Sequence, residues 1–125
     1  MAETILIVDD NAMNRKLFRV LLEKSGYEVV EAEDGKEGFD LAKKVIPSLI
    51  LMDIQMPGMD GITALKAIRE MDATREIPVI ALTSYAMQGD RERFLAEGFV
   101  DYISKPIDGK LFLATVRNTL AQYHG

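Results

Sequence analysis

Short apolar runs recur along the chain, with polar segments of helical period between them. Four stand out: "ILIV" at residues 5–8, "LILM" at 49–52, "VIAL" at 79–82 and a shorter "FV.YI" around 99–103. Unbroken runs of this length suit strands buried on both faces of a parallel sheet. A fifth segment, "YEVVEA" at 27–32, mixes in acids and reads as an edge strand. Between the runs, apolar residues return every three or four positions: Met13, Leu17, Val20 and Leu21, then Ile62, Leu65 and Ile68, then Leu113, Val116 and Leu120. Such spacing gathers one apolar stripe on a helix. The pattern therefore predicts strand followed by helix, five times.

Boundary residues fit the same division. Gly26 and Gly98 stand where helices should end, and Pro47 and Pro78 come just before strands. Asp34, with Glu37 three residues on, and Asp108 are candidate N-caps. Strict alternation of strand and helix predicts an α/β fold, a parallel sheet with right-handed crossovers and helices on both faces. No repeat, linker or low-complexity tract divides the chain, so residues 1–125 are expected to form one domain. The helix expected over 86–97 has few apolar positions and contains Gly89, which makes it the loosest element, whether by surface degeneracy or because it moves.

Ligands of open α/β sheets bind beyond the carboxyl ends of the strands. At that edge the chain places Asp9 and Asp10 after the first run and Asp53 after "LILM". Thr83 and Ser84 follow "VIAL", and Ser104, Lys105 and Pro106 follow the last run. Each has a local reading: Asp10 or Asn11 as a helix cap, Asp53 as a turn residue before "MPGMDG", Thr83 bonded to nearby backbone, Lys105 solvated, Pro106 closing a turn. Taken together these readings fail, because separate strand ends have no structural reason to deliver complementary charges to one place. Three crowded carboxylates resist ionising together unless a cation intervenes. Mg²⁺ meets that need, since it prefers oxygen ligands and is held by a few carboxylates together with phosphate oxygens. Asp53, so neutralised, is a nucleophile for phosphorus, with Lys105 and Thr83 as the cation and hydroxyl that stabilise the transferring group.

Composition narrows the remaining classes. The chain has 125 residues, 48% hydrophobic and 28% charged, as in ordinary globular proteins. A net charge of -5 argues against direct nucleic-acid binding, which needs clustered Lys and Arg. With no cysteine and a single histidine, His124, thiolate chemistry, a His-rich zinc site and a catalytic triad are excluded or improbable. No stretch approaches the about 20 apolar residues of a membrane span, and the start lacks a signal-peptide pattern. The expectation is a cytoplasmic protein that touches neither membrane nor nucleic acid directly.

The motifs "ILIVDDN", "LILMDIQMPGMDG", "VIALTS" and "YISKP", in this order and spacing, resemble those of the receiver domains of two-component response regulators. The resemblance spans essentially the whole chain. It implies a flavodoxin-like (CheY-like) doubly wound sheet of five parallel strands, order 2-1-3-4-5, with five helices. It implies a signalling switch rather than an enzyme, one that catalyses only its own phosphorylation and dephosphorylation. Asp53 is then the phosphoacceptor. Mg²⁺ is bound directly by Asp10, Asp53 and the Gln55 backbone carbonyl, and through water by Asp9. Lys105 contacts the phosphoryl group, Thr83 and Tyr102 form the switch pair, Gln55 and Tyr85 tune phosphate lifetime, and the Lys105–Pro106 peptide is cis. The implied donor is a histidine kinase or histidine phosphotransfer protein, and the implied target is a protein docking on the face of the fourth helix, last strand and last helix.

Within that family, "NRKLF", "SYAMQGDRER" and "DYISKPI" are similar to stand-alone receivers of bacterial cell-cycle control, while receivers of hybrid histidine kinases share the same stretches. The final helix, "LATVRNTLAQYHG", leaves no room for an output domain, so output is expected through another protein, the alternative being a receiver domain cut from a hybrid histidine kinase or a longer response regulator. Asn14, Arg15 and Phe18 are expected to face the kinase, Phe18 otherwise being a lone surface aromatic. Three rivals share features. An FMN carrier shares the architecture, but "DDNAMN" offers acids where a phosphate loop offers free N–H groups. An aspartate-nucleophile phosphatase needs a second acid as proton donor, and a receiver kept only for docking would not bind Mg²⁺.

Overall fold

The structure is a computed structural model that describes residues 2–56, 60–84 and 90–124. Five strands, β1 (Thr4–Val8), β2 (Glu28–Ala32), β3 (Leu49–Asp53), β4 (Val79–Thr83) and β5 (Asp101–Ser104), alternate with five helices. The helices are α1 (Ala12–Lys24), α2 (Gly35–Val45), α3 (Gly61–Glu70), α4 (Asp90–Glu97) and α5 (Gly109–His124). The strands form one sheet in the order β2-β1-β3-β4-β5, every pair parallel. This is the expected flavodoxin-like architecture, with the acid-bearing strand as the edge on the β2 side.

Parallel pairing puts successive side chains on opposite faces, and both faces are covered. Leu6, Val8, Ile50, Met52, Val79 and Ala81 pack under α2, α3 and α4 with Ala42, Leu65, Ile68, Phe94 and Phe99. Ile5, Ile7, Leu49, Leu51, Ile80 and Leu82 pack under α1 and α5 with Phe18, Leu22, Phe112, Val116 and Leu120. Each of these side chains larger than alanine contributes about 1.5–3 kcal/mol relative to exposure. The central strands are therefore the most firmly held part of the molecule, and the groups at their carboxyl ends inherit that rigidity.

Local chemistry sets the element ends. Gly26 (φ 93°) and Gly98 (φ 113°) take left-handed conformations after α1 and α4, as their positions in the sequence suggest. The Asp34 carboxylate accepts from Glu37 N at 2.8 Å and caps α2, while Asp108 accepts from Lys110 N and Leu111 N at the start of α5. β3 and β4 each run one residue past the apolar run and so include Asp53 and Thr83. Of the helix expected over 86–97, residues 90–97 form α4; residues 86–89 lie outside the described residues, as do Pro57, Gly58, Met59 and Tyr85.

The inward face of α1 differs from the expected one. Of the four residues expected to face inward, Leu21 packs half-buried against the core, but Met13, Leu17 and Val20 are exposed, and Arg15, Phe18 and Leu22 are buried instead. Phe18 is no surface aromatic: its ring stacks on Phe112 of α5 with centroids 5.3 Å apart. Both faces of α1 carry apolar residues, and the stack on α5 selects the one with the larger side chain. Phe18 and Arg15 therefore cannot offer a free kinase-facing surface, contrary to the expectation from sequence.

Candidate functional site at the carboxyl edge of the sheet

Asp53 closes a strand that is buried along its whole length, and the residue itself is only 3% exposed. Its Oδ1 accepts from Gln55 N at 2.8 Å, and its Oδ2 accepts from Lys105 Nζ at 3.0 Å. The rigid strand thus presents the carboxylate at the sheet edge with both oxygens already oriented.

The acidic pair arrives from the loop after β1. Asn11, rather than Asp10, caps α1, its Oδ1 accepting from Met13 N and Asn14 N. The cap role is therefore taken, and Asp10 stays exposed at the edge. Asp9 is fully buried; its Oδ1 accepts from Asn11 N at 2.9 Å and its Oδ2 from Lys105 Nζ at 2.9 Å. Asp9, Asp10 and Asp53 bring carboxylate oxygens within 4.8 Å of one another.

Lys105 follows β5 and joins two of these acids through one ammonium. Its backbone N donates to Thr83 O at 2.8 Å, which registers the β5 exit against the end of β4, and the Lys105–Pro106 peptide is cis. Thr83 is buried at that strand end, in register with Ser104. Gln55 Oε1 accepts from Ser84 N at 3.3 Å and so ties the β3 exit to the β4 exit. Tyr102 lies on β5 opposite Ala81, its ring 5.5 Å from that of Phe94 on α4. Of the residues expected at the site, Asp9, Asp10, Asp53 and Lys105 come together directly, Thr83 and Gln55 border them, Tyr102 sits along β5 from Lys105, and Tyr85 is outside the described residues.

Charge and burial oppose each other here. Burial raises Asp53 above the ordinary carboxylate value, and the Gln55 N–H and Lys105 pull it only partly back. For Lys105, burial acts to lower the value, but hydrogen bonds to Asp9 and Asp53 together outweigh it and the net direction is up. Lys105 sees two carboxylates, whereas Asp53 sees one ammonium and a second acid. Three carboxylates against one ammonium leave an excess of negative charge among oxygen donors. That donor set fits a hard divalent cation such as Mg²⁺.

Arg15 is the side chain whose position the sequence did not reveal. It is buried beneath the acidic loop, with Nη1 donating to Asp9 O at 2.7 Å and Nε to Glu31 Oε1 at 3.0 Å. The acids of the edge strand, Glu31 among them, were the available sign that a cation is paired there.

Residues 5–117 match the response regulator receiver domain family. The polar-differentiation response regulator DivK of Brucella anthropi is 47% identical over 120 residues, 96% of this chain and 98% of the relative. DivK of Brucella ovis is 46% identical over the same shares. A putative response regulator from Chloroflexus aurantiacus superposes with a TM-score of 0.90 at 30% identity, covering 97% of this chain and 99% of that one. The receiver domain of a sensor histidine kinase from Pseudomonas aeruginosa, with a magnesium ion coordinated in its active-site cleft, gives a TM-score of 0.83 at 35% identity and 98% coverage of both chains. The likeness to cell-cycle receivers thus falls on DivK, and the likeness to hybrid-kinase receivers is also visible, at lower identity. The chain belongs to the response regulator receiver family, the phosphoacceptor switches of two-component signalling.

Proposed function

We propose that Asp53 accepts a phosphoryl group from a phosphohistidine of a kinase or phosphotransfer protein. The observation that carries this is a nucleophile fixed by a buried strand, 3.0 Å from a lysine and beside two further acids. Asp53 Oδ forms the new bond to phosphorus while the bond from phosphorus to the histidine nitrogen breaks, its electron pair staying on nitrogen. Asp10, Asp53 and the Gln55 carbonyl would hold Mg²⁺, with Asp9 acting through water. The ion would supply charge neutralisation for acids and phosphoryl oxygens alike. Lys105, already at Asp53, balances the transferring charge, and the Thr83 hydroxyl donates to the phosphoryl oxygens. The same groups serve hydrolysis of the acyl phosphate, with Gln55 and Tyr85 setting its lifetime.

Phosphorylation gives Lys105 and Thr83 new partners, and a change of state requires such differential contacts. Tyr102 moves with Thr83 and alters the surface of α4, β5 and α5. A groove of about 390 Å³ lined by Arg91, Tyr102, Ile103, Pro106, Leu111 and Thr115 lies on that face and suits a protein target. Met13, Leu17 and Val20, exposed on α1, are the surface offered to the phosphodonor.

The test is labelling by acetyl phosphate with Mg²⁺. Wild type takes up one phosphoryl group per chain, and Asp53→Asn takes up none. Stoichiometric labelling of Asp53→Asn refutes the assignment.

A further inference from the structure

We infer that Arg15 is a positioning residue for the acidic pair, its guanidinium fixing the Asp9–Asp10 peptide and so the direction in which the Asp10 carboxylate reaches the site. This rests on the phosphoacceptor reading of that site. The carbonyl of Asp9 and the N–H of Asp10 belong to one planar unit. Arg15 Nη1 donates to that carbonyl at 2.7 Å in a buried environment, and Asp9 N donates to Ala32 O at 3.2 Å. The Asp9 side chain has its own holders, Asn11 N and Lys105 Nζ. Among the described residues no hydrogen bond or ion pair to the Asp10 carboxylate occurs, so its backbone is what aims it.

The guanidinium is itself fixed from the far side. Arg15 Nε donates to Glu31 Oε1 at 3.0 Å, Nη2 lies 3.6 Å from Glu33, and the other Glu31 oxygen takes Arg19. A rigid planar fork can hold a carboxylate and a carbonyl at once, which a flexible ammonium does poorly. The arrangement therefore ties β2 and α1 to the backbone of the acidic loop, with Arg15 as the link that reaches the site.

Charge and positioning make opposite demands on Mg²⁺ affinity. A cation beneath the acids repels a second cation, so if Arg15 acted by charge alone, Arg15→Met would bind Mg²⁺ more tightly. If it positions Asp10, Arg15→Met binds it more weakly, by about tenfold, as when groups supporting a metal ligand are removed. The experiment is calorimetric titration of the full chain with Mg²⁺, paired with labelling rates from acetyl phosphate at low and saturating Mg²⁺. Arg15→Met is expected to show the weaker affinity and a slow rate that saturating Mg²⁺ restores. Arg19→Gln, which breaks the Glu31 pair without touching Asp9, is expected to match wild type. Arg15→Lys keeps the cation without the fork and is also expected to bind Mg²⁺ more weakly; it decides the matter should Arg15→Met not fold. Unchanged or tighter Mg²⁺ binding by a folded Arg15 variant overturns the inference, as does an equal loss in Arg19→Gln. Wild type that neither binds Mg²⁺ nor takes label removes the phosphoacceptor reading itself, a different and separately visible failure.

Discussion

Gly61 lies directly against Asp53: a Cβ at Gly61 would stand 2.5 Å from the Asp53 carbonyl oxygen and 2.8 Å from Ile54 Cα. The first turn of α3 thus rests on the backbone that carries the proposed phosphoacceptor. Gly61 is the first residue of α3, after the Asp60 cap, so Gly61→Ala gains less than the about 1 kcal/mol of an interior position, and the clash is with backbone, which cannot swing aside as a side chain can. Overpacking of this kind costs about 1–3 kcal/mol. The expected outcome is a lower urea midpoint together with slower labelling of Asp53, because relief of the contact shifts either α3 or the strand end.

Lys105 holds two buried acids at once, and its removal leaves them facing each other. Without metal, Lys105→Met is expected to lose about 3–5 kcal/mol, the scale for breaking a buried ion pair by deleting one partner. Added Mg²⁺ supplies a replacement charge, so the deficit in thermal midpoint narrows more than wild type shifts. Because the folded value of Lys105 is raised above 10.5, its contribution is complete below the unfolded value and is lost only as pH rises through the folded one. The variant and wild type therefore converge in strongly alkaline solution and differ fully at neutral pH.

Asp53 follows the same direction with pH, but here the charged form is the costly one. Its folded value is raised above 3.8, chiefly by burial, so the folded state favours its protonated form. The stabilisation this gives is present at low pH and is lost as pH climbs from the unfolded value through the raised one. At neutral pH the ionised group is a net cost to the metal-free fold, and Asp53→Asn is expected to be more stable than wild type. Urea unfolding at a series of pH values checks this: the advantage shrinks as pH falls through the carboxylate range.

The strand order of function-bearing groups was legible because each follows an apolar run that admits one reading. "LILM" then Asp53 and "VIAL" then Thr83 became β3 and β4 with the polar residue as their last member. The buried face of α1 was not legible, since Met13, Leu17 and Val20 and the pair Phe18 and Leu22 both keep helical spacing. Periodicity locates a stripe but does not say which of two stripes meets the sheet. Arg15 hid for a related reason: a charged residue reads as exposed until its partners, Glu31 on β2 and a backbone carbonyl, are known.

The two stripes of α1 give a prediction that separates packing from recognition. Phe18 is 1% exposed and stacked on Phe112, so Phe18→Ala removes most of an aromatic ring from the α1–α5 interface. Its expected cost is about 3–5 kcal/mol. Met13 and Leu17 are 80% and 47% exposed, and Met13→Ser with Leu17→Ser is expected to change stability by no more than about 0.5 kcal/mol per site. If this face meets the phosphodonor, the double variant slows phosphotransfer from a histidine kinase and leaves labelling by acetyl phosphate unchanged, because the small donor needs only the acids, Lys105 and Thr83. Phe18→Ala, by contrast, slows both in proportion to the fraction unfolded. Rates for the two donors, measured side by side on each variant, distinguish a docking surface from a core; equal slowing with both donors in a fully folded double variant refutes the surface assignment.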